Sequence, residues 1–143
     1  MRIAETEQAP HRPLCCALIV TWEPDVTVLL ALVEQLLADD CSCRVIDNGS
    51  SNAGAMREAF RHLPAGHFSV SWLPANIGLA AGLNRGLEQA VAEGFEYALL
   101  FDQDSAIDSR FSRSMLEAFR EASALTSRPL AALGPRVQNP DNG

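Results

Sequence analysis

The chain has 143 residues, of which 48% are hydrophobic and 20% charged, a composition typical of one compact globular domain. Its net charge of -7 argues against general binding to nucleic acid, which requires a basic surface. All 11 basic residues are arginine, and the absence of lysine excludes a P-loop nucleotide site and Schiff-base chemistry, which both need a lysine amine.

Residues 1–13 are polar and contain no long apolar core, so we expect a mobile leader rather than a secretory signal. The domain is expected to occupy residues 14–143. Its apolar runs are far shorter than the ~20 residues that span a bilayer. We therefore expect no transmembrane segment and a cytoplasmic location.

The four cysteines lie in or beside apolar runs and lack the C-x-x-C spacing of zinc and thioredoxin sites. They are Cys15, Cys16, Cys41 and Cys43. We expect buried thiols in a reducing compartment. The two cysteine pairs fall on segments that could be neighbours, which leaves a disulfide open.

The first half of the domain contains two predicted strand–helix units. A continuous apolar run at residues 14–20 predicts a central strand. Asp25 is placed to cap the next helix, predicted at residues 26–38 from its apolar stripe. A short strand at residues 43–47 then leads to a helix at residues 53–63.

The pattern continues with a third unit. Residues 68–73 alternate between apolar and polar side chains, which predicts a strand near an edge of the sheet. A long helix rich in alanine and leucine follows at residues 79–93, and Gly94 supplies its C-terminal stop.

The last part of the chain contains an apolar run at Tyr97–Phe101 that does not alternate, which predicts a buried parallel strand. A helix at residues 109–125 and a fifth short strand at residues 130–134 complete the prediction. Strands and helices that alternate in this way indicate an α/β fold with a Rossmann-like, doubly wound parallel sheet. Because the chain stops soon after the fifth strand, we expect a truncated form of a longer protein.

Four polar loops follow the predicted strands. They span residues 21–25, 47–52, 76–78 and 102–105. Each loop alone is an ordinary turn, because asparagine, aspartate, glycine and serine are common turn residues. Ligands of open α/β sheets bind at the carboxyl ends of the strands, so four such loops together predict a binding site.

Asp102 and Asp104 stand one residue apart at the end of the apolar strand. Two close carboxylates resist joint ionisation unless a cation lies beside them. Mg²⁺ or Mn²⁺ can bind one or two carboxylates together with substrate phosphates and act as a Lewis acid toward a departing diphosphate. The first strand lacks a glycine-rich turn, which argues against nicotinamide or flavin binding.

Four motifs in chain order resemble the family 2 glycosyltransferases with the GT-A fold. They occupy residues 20–24, 45–51, 76–86 and 100–105. The run at residues 76–86 and the Asp-Gln-Asp-Ser sequence at residues 102–105 are most similar to bacterial rhamnosyltransferases. The resemblance covers residues 14 to about 137.

The resemblance implies an inverting transfer from a nucleoside-diphosphate sugar, dTDP-rhamnose or a UDP-sugar, to a glycan or lipid-linked acceptor in cell-surface polysaccharide synthesis. Mg²⁺ or Mn²⁺ is the implied cofactor. The implied donor contacts are Thr21 and Trp22 beside the base with Glu23 nearby, Asp47 on the base edge, Asn76 and Gly78 at the sugar or phosphates, Asp102 near the ribose and metal, and Asp104 on the metal.

The sequence departs from the family pattern at two points. Many relatives carry an arginine for the donor phosphates where this chain has Leu83, and here Arg85 follows Asn84 instead. The family's catalytic base is an acid on a later element, whereas Asp108 is too near and Asp141 lies in the tail. We therefore assign no base and expect a donor-binding part with little transferase activity of its own.

Two other functions stay open from the residues. A haloacid-dehalogenase-like phosphatase would use Asp102 as nucleophile and Asp104 as acid/base, although that motif usually lies on the first strand and needs a downstream lysine. A non-catalytic nucleotide-binding module is the second alternative. Apolar surface left by truncation would favour self-association, and the full-length protein could associate peripherally with the inner face of the membrane.

Overall fold

The computed structural model describes residues 15–135. Within them the strands are β1 (Cys15–Thr21), β2 (Ser42–Asp47), β3 (Phe68–Trp72) and β4 (Tyr97–Phe101). The α-helices are α1 (Val26–Ala38), α2 (Ala53–Ala59), α3 (Leu79–Ala92) and α4 (Phe111–Ala124), and a 3₁₀ turn (Phe60–His62) follows α2. The predicted leader at residues 1–13 and the tail residue Asp141 lie outside the described residues.

The four strands are parallel and form one sheet in the order β3-β2-β1-β4. The α/β prediction and the edge position of β3 are therefore confirmed. The order places the ends of β1 and β2 at the centre of one sheet edge, because Thr21 is the register partner of Asp47. This pairing brings the loops after β1 and β2 side by side.

Helices cover both faces of the sheet, as in a doubly wound fold. On one face, Ile19 and Val45 belong to the larger apolar core together with Leu29 and Val33 of α1. On the other face, Leu18 packs in a smaller cluster with α3. β1 and β2 are buried along their whole length, which agrees with the continuous apolar run of β1, whereas β2 also buries the polar residues Ser42, Arg44 and Asp47.

Helix α3 lies unusually close to the sheet because two glycines face it. A Cβ atom added to Gly82 would lie 2.9 Å from Cγ1 of Val20, and one added to Gly86 would lie 2.8 Å from Cδ1 of Ile46. Gly82 and Gly86 therefore permit the close packing of α3 on the sheet. Gly78 has open space around it and instead adopts a φ of 89°.

The predicted fifth strand at residues 130–134 is wrong, because this segment is irregular. Pro129 and Pro135 flank it and offer no backbone N–H for a ladder. The two central alanines add little side-chain contact on a pleated surface. Apolar character alone therefore does not make this run a strand.

The burial predicted for β4 is also wrong, although its parallel pairing with β1 is confirmed. β4 forms an edge of the sheet in the described part of the chain. Tyr97 and Phe101 face α4, where their rings lie 5.8 Å and 5.9 Å from those of Phe119 and Phe111. Leu100 points to the opposite face and is 55% exposed.

Helix α4 begins at Phe111, two residues later than predicted, because Arg110 has a left-handed φ of 68°. The carboxylate of Asp39 accepts hydrogen bonds from the backbone N–H groups of Arg110 at 2.7 Å and Ser112 at 3.3 Å. A side chain at the end of α1 thus caps α4, a contact that local sequence does not reveal.

All four cysteines are buried free thiols, which confirms the expected burial. The Sγ atoms of Cys15 and Cys41 lie 3.2 Å apart as a hydrogen-bonded pair. Among residues 15–135, the structure has no helix with the length and apolar character needed to cross a membrane.

Candidate functional site

A cleft of about 350 Å³ lies at the carboxyl ends of the strands. Its lining residues are Val20, Thr21, Trp22, Asn48, Asn76, Leu79, Asp102, Gln103 and Asp104. Each of the four predicted polar loops contributes to this lining. The predicted convergence of these loops on one sheet edge is confirmed, and we refer to the space as the strand-end cleft.

Asp47 ends β2 and is only 1% exposed. Its Oδ1 accepts hydrogen bonds from the Thr21 hydroxyl at 3.2 Å and the Ser50 hydroxyl at 2.5 Å, and its Oδ2 accepts from the Ser50 backbone N–H at 3.1 Å. Asp47 is absent from the cleft lining, where its neighbour Asn48 stands instead. The carboxylate therefore joins the loops after β1 and β2, and its contact with a base stays a prediction.

Glu23 holds the same two loops together at the surface. Its carboxylate accepts hydrogen bonds from the Ser51 backbone N–H at 2.6 Å and the Ser51 hydroxyl at 2.8 Å. These bonds lower the pKa of Glu23. Its φ of 48° is unusual for a residue other than glycine, and its N–H donates to the Ser50 hydroxyl at 2.9 Å.

Asn48 and Asn76 link the loops after β2 and β3. The Asn48 amide nitrogen donates to Oδ1 of Asn76 at 2.9 Å, and Asn48 Oδ1 accepts from the Ile77 N–H at 2.8 Å. Oδ1 of Asn76 also accepts from the Gly78 N–H at 2.8 Å. Both asparagines line the strand-end cleft while they fix the backbone that enters α3.

The N-terminus of α3 opens at the same place. Gly78 occupies the N-cap position, where no side chain caps the helix, and Leu79 lines the cleft. The N–H groups and the dipole at a helix start favour an anion. The start of α3 therefore offers the cleft one place that favours a phosphate group.

The opposite side of the cleft carries the two acids. Asp102 and Asp104 are exposed and lie in a turn that the Ser105 N–H closes by donating to the Asp102 carbonyl at 3.1 Å. Between them, Gln103 contacts the backbone of Trp22, a residue that is 56% exposed. An aromatic residue and two acids thus line the same cleft.

The acids fit a metal that a ligand helps to hold. Among the described residues, no group of three or more His, Cys, Asp or Glu side chains forms a complete metal site. Mg²⁺ characteristically uses one or two carboxylates and takes its other oxygens from water and substrate phosphates. Two exposed carboxylates at a cleft match that pattern.

The predicted site residues divide into two groups. Five of them line the cleft, namely Thr21, Trp22, Asn76, Asp102 and Asp104. The other three are absent from the lining and hold the surrounding loops by hydrogen bonds: Glu23, Asp47 and Gly78. Asn48 and Gln103 line the cleft but had not been predicted. Both residues lie in predicted loops, but nothing in the spacing of Gln103 marked it as a residue of the cleft lining.

A second, larger groove of about 770 Å³ lies beside β4 and α4. Apolar side chains such as Leu99, Phe111 and Leu133 form much of its lining. Asp102 lines both this groove and the strand-end cleft. Asp102 therefore stands where the polar cleft meets an apolar groove.

Comparison with known proteins decides the family. The model of a family described as glycosyl transferase family 2 matches residues 19–139. The chain belongs to glycosyl transferase family 2. The matched region of this family 2 chain includes all four cleft loops, which removes the support for a haloacid-dehalogenase-like phosphatase.

The dTDP-rhamnosyl transferase RfbF of Shigella flexneri is similar to this family 2 chain. The two are 29% identical over 99 residues, which make up 69% of this chain and 32% of that protein. The aligned part thus spans about a third of the length of this curated relative. The parallel α/β sheet agrees with the Rossmann-like fold expected of this family.

Proposed function

We propose that the strand-end cleft binds the nucleoside-diphosphate part of a sugar donor, and that the whole protein transfers the sugar. One observation carries the proposal: the exposed aromatic residue Trp22 and the two acids Asp102 and Asp104 line the same cleft. An aromatic face suits a base, and paired acids suit a metal-bound diphosphate. The printed name of the Shigella relative favours dTDP-rhamnose over a UDP-sugar.

The roles proposed for the residues follow their positions. Trp22 packs against the base, and Asn48 and Asn76 offer amide groups to the base or sugar. Asp102 lies toward the ribose and the metal, and Asp104 binds the metal directly. Mg²⁺ or Mn²⁺, when bound, would neutralise charge on the departing diphosphate.

Arginine contributes nothing to the strand-end cleft within residues 15–135. Arg85 is exposed on α3 and is absent from the lining, and Leu83 is half-buried. Compensation of the phosphate charge is therefore proposed to rest on the metal and on the start of α3. Asp108 also lies outside the cleft. We therefore propose that the acceptor is activated by a group other than Asp108 and the described cleft residues.

The acceptor side of the proposal rests on the family alone. We propose a glycan or lipid-linked saccharide as acceptor, for an inverting reaction in cell-surface polysaccharide synthesis. A cytoplasmic location, at the inner face of the membrane when the acceptor is lipid-linked, is part of the same proposal. The four free thiols are compatible with a reducing compartment.

Titration calorimetry tests the proposal on this chain. With Mn²⁺ present, dTDP or UDP should bind, and excess EDTA should weaken binding at least about tenfold, because the diphosphate then faces two carboxylates without a cation. Trp22→Ala should weaken binding, whereas the matched Trp72→Phe should preserve it, since Trp72 lies beneath Arg57 and does not line the cleft. Absence of binding by both nucleotides to folded protein would overturn the proposal.

A further inference from the structure

Gln103, between the two acids, makes a paired contact with one residue of the neighbouring strand-end loop. Its Oε1 accepts a hydrogen bond from the Trp22 backbone N–H at 2.8 Å, and its Nε2 donates to the Trp22 carbonyl at 3.3 Å. The side chain thereby satisfies both backbone groups of Trp22 across a sequence separation of 81 residues.

The contact continues the sheet beyond its last paired residues. Pairing of β1 with β4 ends at Ile19 and Phe101. On the side of β1 that faces β2, backbone hydrogen bonding continues further, because the Thr21 carbonyl accepts a hydrogen bond from the Asn48 N–H at 2.8 Å. On the β4 side no strand remains to meet Trp22, and the amide of Gln103 takes the place of a backbone peptide.

The same side chain fixes the turn that carries Asp104. Asp102 and Ser105 close this turn by one backbone hydrogen bond of 3.1 Å. The turn is exposed at both acids, so that bond alone leaves its orientation to the cleft weakly determined. The Gln103 contact ties the turn to the backbone of Trp22, the exposed aromatic residue of the cleft lining.

We infer that Gln103 is a positioning residue for donor binding: its contact with Trp22 sets the distance between the base-binding indole and the metal-binding acids. The inference rests on the proposed function. A nucleoside diphosphate spans base and metal at once, so its affinity depends on that distance. The affinity of a ligand that reaches only the base site or only the metal site does not depend on that distance.

Gln103→Met tests the inference, because methionine keeps the length of the side chain and removes both hydrogen bonds. With Mn²⁺ present, the affinity for dTDP should fall on the order of tenfold, the effect of losing two modest hydrogen bonds. The affinity for thymidine, which lacks phosphates, should stay within about twofold. Gln35→Met is the matched control, because Gln35 lies on α1, is absent from the cleft lining, and donates from its side-chain amide to Oδ1 of Asp39 at 3.3 Å.

A double-mutant cycle separates positioning from general loosening of the fold. In an Asp104→Asn background, Gln103→Met should change dTDP affinity by less than about twofold, because the acid it positions is gone. An undiminished tenfold effect there, or equal losses for dTDP and thymidine, would overturn the inference. Wild-type binding that Gln103→Met leaves unchanged overturns the inference alone, whereas absence of wild-type binding by both dTDP and UDP overturns the proposed function as well.

Discussion

Ser50 donates two hydrogen bonds to Asp47, one from its hydroxyl to Oδ1 at 2.5 Å and one from its backbone N–H to Oδ2 at 3.1 Å. Thr21 adds a third donor from the end of β1. A buried carboxylate with three donors is a structural support for the loops around the cleft. Its removal should therefore affect folding as well as ligand binding.

Asp47→Asn should lower the free energy of unfolding by about 2 to 4 kcal/mol. A neutral amide oxygen accepts more weakly than a carboxylate, and the amide nitrogen cannot accept at all, so the Ser50 N–H and the Thr21 and Ser50 hydroxyls lose part of their hydrogen bonding. Urea unfolding followed by circular dichroism measures the change. Asp25→Asn is the control, because asparagine caps a helix as well as aspartate does and α1 should keep its stability. Equal stability of Asp47→Asn and wild type would contradict the role given to this carboxylate.

Gly49→Ala should destabilise the protein by about 2 kcal/mol or more. A Cβ atom there would lie 2.7 Å from Cα of Ala75, and the φ of 79° disfavours any side chain. Because Ala75 precedes Asn76, the substitution should also weaken nucleotide binding.

Gly54→Ala is the matched control for Gly49→Ala. Gly54 lies in α2 with nothing within 4 Å of an added Cβ, so alanine should stabilise the protein by up to about 1 kcal/mol. Thermal or urea unfolding of both variants gives the comparison. Equal effects of the two substitutions would contradict the close approach of the loops.

Glu23 should make stability depend on pH below neutrality. Bonds from the Ser51 N–H and hydroxyl lower its pKa from the ordinary value of 4.5 in the folded state. Its stabilising contribution is therefore present above about pH 4.5 and is lost as the pH falls through the lower folded value. The difference in melting temperature between wild type and Glu23→Gln should shrink from pH 6 to pH 3. A difference that stays constant or grows on acidification would contradict the Glu23–Ser51 contact.

The buried thiols should resist modification in the native protein. Burial raises the pKa of Cys16 to about 12 and also raises the pKa of Cys43. The hydrogen bond between the Cys15 and Cys41 thiols lowers the pKa of Cys15, which should react first. Reaction with a chromogenic disulfide at pH 8, mapped by mass spectrometry, should be slow until denaturant exposes all 4 cysteines. Rapid native labelling of Cys16 would be inconsistent with this core.

The sequence indicated the alternation of elements and the loops that meet, because apolar runs such as residues 14–20 and caps such as Asp25 act locally. The strand predicted at residues 130–134 is wrong, because a strand needs a neighbouring strand to pair with and apolar character does not reveal one. The start of α4 depends on Asp39, and the acidic turn depends on Gln103 bonding Trp22. Contacts between residues so far apart in sequence become visible only once the sheet is formed.

Binding of Mn²⁺, followed by the electron paramagnetic resonance signal of the free ion, tests the metal-assisted cleft most directly. On addition of dTDP, wild type and Asp108→Asn should both remove the free-ion signal. Asp108 is an exposed acid near the turn but outside the cleft. Asp104→Asn should leave that signal largely unchanged, because the cleft then keeps only the carboxylate of Asp102. Equal Mn²⁺ binding by Asp104→Asn and wild type, or no binding by wild type with dTDP present, would contradict the account.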